Sequence, residues 1–199
     1  MPDTIMGLWT HGNAFTPAEN PNDLTDVDGV GWTQVIGKHA GWGAAFRGRA
    51  GANVWFHVPL PTPVLVPIYN PQTGHYDAPW GRRATLDRVF VMHSSENRAE
   101  NGVNIANAFI TAIDVWDGGD KKYPIMSTDA TNANDAGPLA GDGQHYQTIV
   151  DGVNNWLVRV GNARPTLKWG VGISVRVYFE VESTMTFTAA GADYVFTVP

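Results

Sequence analysis

Residues 170–182 alternate between apolar and polar with a period of two, the period of a β-strand. Ile173, Val175, Val177, Phe179 and Val181 fall on one side, and Ser174, Arg176, Tyr178, Glu180 and Glu182 on the other. The pattern predicts a long antiparallel strand with one face on a core and the opposite face on water or a partner. Further apolar runs predict strands at 4–15, 34–36, 42–46, 53–58, 86–93, 105–116, 121–126, 148–150, 156–160, 167–182, 185–188 and 194–198.

The punctuation between these runs belongs to turns. Gly12-Asn13 interrupts the first run, and glycines break the pieces around 34–46, which suggests bulges or close backbone approach. Pro59, Pro61 and Pro63 stand at every second position, so 59–64 is an edge or an extended crossing between sheets. Asp117-Gly118 supplies the positive φ that a type I′ hairpin turn requires. Segment 94–103 reads as a polar turn, 21–26 as at most a short helical turn, and 67–84 and 127–147 as long loops. About ten strands at roughly 8–12 residue spacing predict an all-β, two-sheet antiparallel sandwich. A jelly-roll-like arrangement with little helix, forming one domain over 1–199, is the specific expectation.

Composition narrows the function classes. Charged residues make up 16% of the chain, while glycine (22), proline (13) and tryptophan (8) are abundant, which suits short strands and tight turns. A formal charge of -6 without a basic cluster longer than a pair argues against nucleic acid and anionic membrane surfaces as partners. Cysteine is absent, which removes disulfides, zinc–thiolate sites and thiol catalysis together. The opening residues lack the basic and apolar regions of a secretory signal, so a cytoplasmic location is the default, with signal-less export as the alternative.

Candidate chemistry is sparse. Trp9 with His11 and Trp55 with His57 each set an indole beside an imidazole on one strand face. Were the two strands neighbours, His11 and His57 would hold a metal with a third ligand; the plainer reading is two structural histidines bonded to backbone carbonyls. Asp129, Asp135 and Asp142 gather oxygen ligands in an Asx-rich loop, which makes calcium the cofactor to test, against a solvated turn region. Asp26-Val-Asp-Gly29 fails as a calcium loop, because an EF-hand register puts Leu24 first and Val35 twelfth. Glu180 and Glu182, about 6.5–7 Å apart on a regular strand, loosely match an inverting glycosidase pair. A salt-bridged outer surface explains them as well. No nucleophile elbow, Walker loop, zinc-protease motif or dinucleotide fingerprint occurs.

Aromatic residues near turns are the remaining resource: Trp32, Trp42, Tyr69, Tyr76, Trp80, Tyr146 and Trp169. Such side chains stack on sugar rings or fill a partner's pocket, or else close the ends of the core. Trp42, Tyr69, Tyr76, Trp80 and Tyr146 form the expected ligand-binding set, with Trp80, between Pro79 and Gly81, the most exposed.

Trp9-Thr-His-Gly12, Trp55 to Val64 with its Pro-Thr-Pro-Val ending, Val115-Trp-Asp-Gly118, Gly170 to Phe179 with its Gly-Ile-Ser-Val core, and Phe187 to Tyr194 together resemble a family of small microbial β proteins. That family's domain has no assigned chemistry, so the resemblance carries over no catalytic residue. It implies that 67–84 and 127–147 are expansions, and that a function peculiar to this chain sits there. The reading that follows is a non-catalytic module binding a glycan or a protein through aromatic end loops. A self-assembling structural protein, joined into a homo-oligomer by sheet edges or faces, is the second reading, and a metal-dependent hydrolase the third.

Overall fold

The computed structural model describes residues 3–17, 24–25, 37–63, 69–76, 84–126, 154–158 and 162–197. Two antiparallel sheets form a sandwich. The larger holds β1 (Asp3–His11), β3 (Leu24–Thr25), β4 (Lys38–Ala40), β5 (Gly43–Gly48), β9 (Thr85–Ser95), β14 (Asn154–Leu157) and β16 (Ser183–Thr197). Its order is β14-β9-β16-β5-β3, with β1 also on β16 and β4 also on β5. The smaller holds β2 (Thr16–Pro17), β6 (Asn53–Pro59), β12 (Ala108–Asp117), β13 (Asp120–Met126) and β15 (Val171–Phe179), in the order β13-β12-β15-β6-β2. Two small hairpins stand apart, β7 (Tyr69–Asn70) with β8 (His75–Tyr76) and β10 (Asn97–Glu100) with β11 (Val103–Ala106).

The inner faces obey the two-residue period. Val171, Ile173, Val175, Val177 and Phe179 of β15 are buried against Val54, Phe56 and Val58 of β6 and the inward residues of the larger sheet. Phe56 reaches across the sandwich, with ring centroids 4.8 Å from Phe46 and 5.2 Å from Phe187. Phe15, on the segment that carries the chain from the larger sheet to the smaller, stacks on Phe187 at 4.1 Å. These offset and tilted contacts add to the area that the rings remove from water.

The outer face of β15 departs from the expected pattern. Ser174 and Arg176 are only 5% and 7% exposed, because the side chains of neighbouring strands lie over them. The strand ends at Phe179, so Glu180 and Glu182 belong to the bend before β16 and share no strand face. Glu180 pairs with Arg98 at 2.8 Å and Glu182 with Arg47 at 3.1 Å, which overturns the reading of the two as a catalytic carboxylate pair.

Other elements differ in instructive ways. The two runs expected at 185–188 and 194–198 are one strand, the fifteen-residue β16, which absorbs a bulge between Phe187 and Ala189. The polar turn expected at 94–103 is occupied largely by β10 and the start of β11, joined by Asn101 and Gly102 with φ of 51° and 79°. Both values are positive, as an Asn-Gly type I′ turn requires. In the β12–β13 hairpin only Gly118 has positive φ, 60°, so that two-residue turn follows type II′ rather than I′. The proline segment is a crossing: Thr62 Oγ1 accepts the Val171 N–H at 2.8 Å, and Tyr194 Oη of the opposite sheet donates to Pro61 O at 2.8 Å. Burial pushes the Tyr194 hydroxyl up to about 12, against a smaller opposing effect of its hydrogen bond with Thr62. The strands expected at 34–36 and 148–150 lie outside the described residues.

β16 is the spine of the larger sheet. One of its edges pairs with β9, while the other is shared end to end by β5, from Ser183 to Phe187, and β1, from Ala189 to Thr197. At the junction the backbones crowd, and a Cβ on either Gly12 or Gly43 would sit 2.1 Å from the Phe187 carbonyl oxygen. Glycine at both positions lets β1 and β5 succeed one another along a single neighbour.

Farther along, Asp193 lies between Gly7 and Arg88 in register. Burial raises its carboxyl pKa first, the charge of Asp87 raises it further, and Arg88 opposes both. A carboxyl raised in the folded state contributes stability in acid that is lost as pH rises through the raised value. Asp193→Asn is therefore expected to raise the melting midpoint near pH 7. The gain should fade below about pH 4, where the unfolded aspartate is also protonated, and thermal melts across pH measure it.

Candidate functional site

Among the described residues, Trp9 is an exposed aromatic held on the face of a sheet. β1 sets it opposite Gly191 of β16, and its indole lies over that glycine, where a Cβ would come within 2.7–2.8 Å of ring carbons. Its flank meets Phe90 of β9, with ring centroids 5.2 Å apart. The residue is nevertheless 45% exposed, so one side of the ring is fixed on the sheet while much of it meets solvent.

Two residues on, His11 fixes the adjoining turn. Its Nδ1 accepts the Asn13 N–H at 3.2 Å, which leaves the proton on Nε2, and Nε2 donates to Gly41 O at 3.2 Å. Asn13 Nδ2 donates to Ala40 O at 2.8 Å. Gly41 and Trp42 form the β4–β5 turn, and these bonds pin it to the short 3₁₀ turn Gly12–Ala14. Trp42 is 49% exposed. The arrangement thus holds two exposed indoles on a hydrogen-bonded frame, next to the glycine junction on β16.

The other tryptophan–histidine pair serves a different surface. On the outside of the smaller sheet, Ser174 stands opposite His57 on β6 and Asp114 on β12. Ser174 Oγ accepts the Trp116 indole N–H at 3.0 Å and shares a 2.7 Å hydrogen bond with His57 Nδ1. Beside it, the Arg176 guanidinium lies 5.7 Å from the Trp55 ring centroid, and its Nε donates to Thr111 Oγ1 at 2.8 Å. The bulge between Ile110 and Ala112 makes that hydroxyl available. Burial lowers the Arg176 pKa more than the charge of Asp114 raises it. Asp114 is paired with Lys121 at 2.5 Å, and Lys121 also lies 5.8 Å from the Trp116 ring centroid.

This second surface is a knitted polar and aromatic layer. Ser174 sits mid-strand with pairing strands on both sides, so its neighbouring backbone N–H groups are committed to ladders and none converges on an oxyanion position. A serine so enclosed, with its oxygen already accepting from an indole, has a structural role here.

The predicted residues therefore divide. His11 belongs to the larger sheet and His57 to the smaller, each engaged by its own neighbours, so the shared metal site fails: the chain inserts β2 and the Phe15 crossing between the two faces. Among the described residues no three His, Cys, Asp or Glu side chains are grouped to hold a metal. Trp42 joins Trp9 and His11 at one corner of the larger sheet. Tyr69 is exposed on the β7–β8 hairpin, in register with Tyr76. Trp80, Tyr146, Asp129, Asp135 and Asp142 lie outside the described residues. The spacing of the sequence marks neither Phe90 nor Gly191 as a neighbour of Trp9; the signal available was the glycine of Gly191 within an otherwise apolar stretch, a mark of close approach.

Compared with known proteins, the chain matches no protein-family model, no curated protein and no solved structure. No helix among the described residues is long and apolar enough to cross a membrane.

Proposed function

We propose that this protein is a non-catalytic glycan-binding module whose binding surface is the Trp9–Trp42 corner of the larger sheet. The observation that carries the reading is the Trp9 indole, seated over Gly191 and braced by Phe90 while nearly half exposed. A ring held in this way loses little conformational freedom when a pyranose stacks on it, which is how a rigid aromatic anchor gains affinity. Trp42 supplies a second stacking group on a turn tied down by His11 and Asn13.

We read the scaffold as a jelly roll. Eight strands pair β5 with β16, β6 with β15, β9 with β14 and β12 with β13, and β16 also binds β9 as β15 binds β12. This is the order of a long hairpin wound twice across two sheets. Lectin and capsid domains both use that architecture, so by analogy it suits sugar binding and assembly alike, and the choice rests on the site.

A glycan array followed by tryptophan-fluorescence titration tests the proposal. Oligosaccharides built of β-linked pyranoses, whose sugar faces are apolar, should shift the emission. Trp9→Ala and Trp42→Ala should each weaken binding about tenfold or more while the fold is kept. Silence across the array, or undiminished binding by both variants, removes the reading.

A further inference from the structure

β1 is an open edge of the larger sheet. Among the described residues it pairs with β16 through nine consecutive positions without a register shift and has no strand on its other side. The other edge strands among the described residues carry the usual protections. β3, β4 and β14 are two, three and four residues long, and β2 is a two-residue strand containing Pro17. β13 carries Lys121, Lys122 and Pro124. β1 runs for nine residues with no proline and no bulge, and 4–10 are uncharged. Ile5 (59% exposed), Met6 and Trp9 are exposed along it. A long, flat, apolar edge without such guards invites another strand.

The sequence of the edge indicates which strand. Read as Asp-Thr-Ile-Met-Gly-Leu-Trp-Thr-His, β1 is self-complementary about its central Gly7. An antiparallel copy centred there sets Gly7 against Gly7, Met6 against Leu8, Ile5 against Trp9 and Thr4 against Thr10. Apolar residues meet apolar ones, hydroxyls meet hydroxyls, and Asp3 falls opposite His11, an acid opposite a base with no like charges opposed. A two-fold contact demands this property, because each position must suit its mirror in the same segment. Cross-strand pairs of this kind stabilise a ladder on both faces.

We propose that β1 is the docking edge for a second copy of this chain, whose own β1 adds antiparallel about a two-fold axis through Gly7. The two larger sheets then run on as one, and Ile5 of each copy stands beside Trp9 of the other. The inference does not rest on the glycan reading, although it sets Ile5 of the second copy beside the same Trp9 ring; mass and cross-linking test the pairing, and sugar titration tests the glycan site.

The absence of cysteine makes a clean test available. Directly opposed residues of an antiparallel pair have Cα atoms about 4.5–5.5 Å apart, within disulfide range. Two Thr4 positions in this register are about 20 Å apart along the strands. The full chain should scatter light with twice the 21.6 kDa mass of one copy. Gly7→Cys should cross-link under mild oxidation and Thr4→Cys should not. A Cβ at Gly7 meets only the movable carboxylate end of Asp193, at 3.2 Å, and Trp9 Nε1 at 3.9 Å, so the variant should fold. Ile5→Lys with Met6→Lys should halve the mass and keep the circular dichroism of the wild type. A wild-type monomer at about 100 µM, where weak edge pairing is populated, overturns the proposal. Equal cross-linking of the two cysteine variants overturns it too, as does a dimer that survives both lysines.

Discussion

Replacing Gly43 with alanine is expected to unfold the protein or to lower its stability by about 3 kcal/mol or more. The Cβ of alanine would stand 2.1 Å from the Phe187 carbonyl oxygen and 3.1 Å from its carbonyl carbon, both backbone atoms in the middle of β16. No rotamer change relieves such a clash, and the residue also holds a φ of 152°, inside the region that side chains rarely adopt. Relief requires β5 to part from β16, which would open the core around Phe46 and Phe187. Gly41→Ala, two residues away, is the matched control: its Cβ would meet nothing within 4 Å, so stability should change little. Urea unfolding followed by tryptophan emission measures both. A Gly43→Ala midpoint within error of the wild type would show that the junction on β16 is looser than described.

The second large effect is expected at Asp117. Its carboxylate is fully buried where the β12–β13 hairpin meets the 162–170 segment, and accepts the backbone N–H groups of Lys168 at 2.8 Å and Trp169 at 2.7 Å. These bonds hold the approach to β15, with Leu167 buried, Thr166 bridged to Thr85 and Trp169 packed over Gly118. Asp117→Ala leaves two amides without their charged acceptor, at a cost of about 1.5–3 kcal/mol. Asp117→Asn keeps one acceptor oxygen and should recover part of the loss. Chemical denaturation gives the magnitude, and faster hydrogen exchange at the Lys168 and Trp169 amides locates it. Unchanged exchange there would separate Asp117 from the stability of this segment.

The strands that the sequence declares most clearly are those whose alternation is unbroken. Val171 to Phe179 and Asn53 to Pro59 follow the two-residue period closely enough to define the smaller sheet, while Thr85 to Ser95 keeps it from Asp87 to His93. Alternation says which side a residue faces, however, and not what lies over it. Ser174 and Arg176 look solvent-facing in the pattern because nothing local announces that Trp116 and Trp55 will lean across from neighbouring strands. β16 is hidden for another reason. Ala189-Ala190-Gly191-Ala192 has little intrinsic strand preference, and pairing with β1 on one side and β9 on the other imposes the extended form.

The binding corner shows the same division. Trp9 with His11 is legible as a same-face pair, and Trp42 as an aromatic at a turn. Their proximity depends on the hand-over of β1 to β5 along β16, a long-range arrangement that no local spacing encodes. The second pair, Trp55 with His57, has the same local signature and serves another surface altogether. Equal motifs thus acquire different roles from the sheets that receive them.

The position of β16 has a consequence for how the chain is made. Each strand that it binds, β1, β5 and β9, leaves the ribosome before it does, and β15, the middle of the other sheet, precedes it only slightly. Until residues 171–197 emerge both halves of the sandwich lack their centre, so the apolar strands already made have no central strand on which to settle. A chain stopped short of residue 183 accordingly holds every strand of the smaller sheet but leaves β1, β5 and β9 without the strand that joins them.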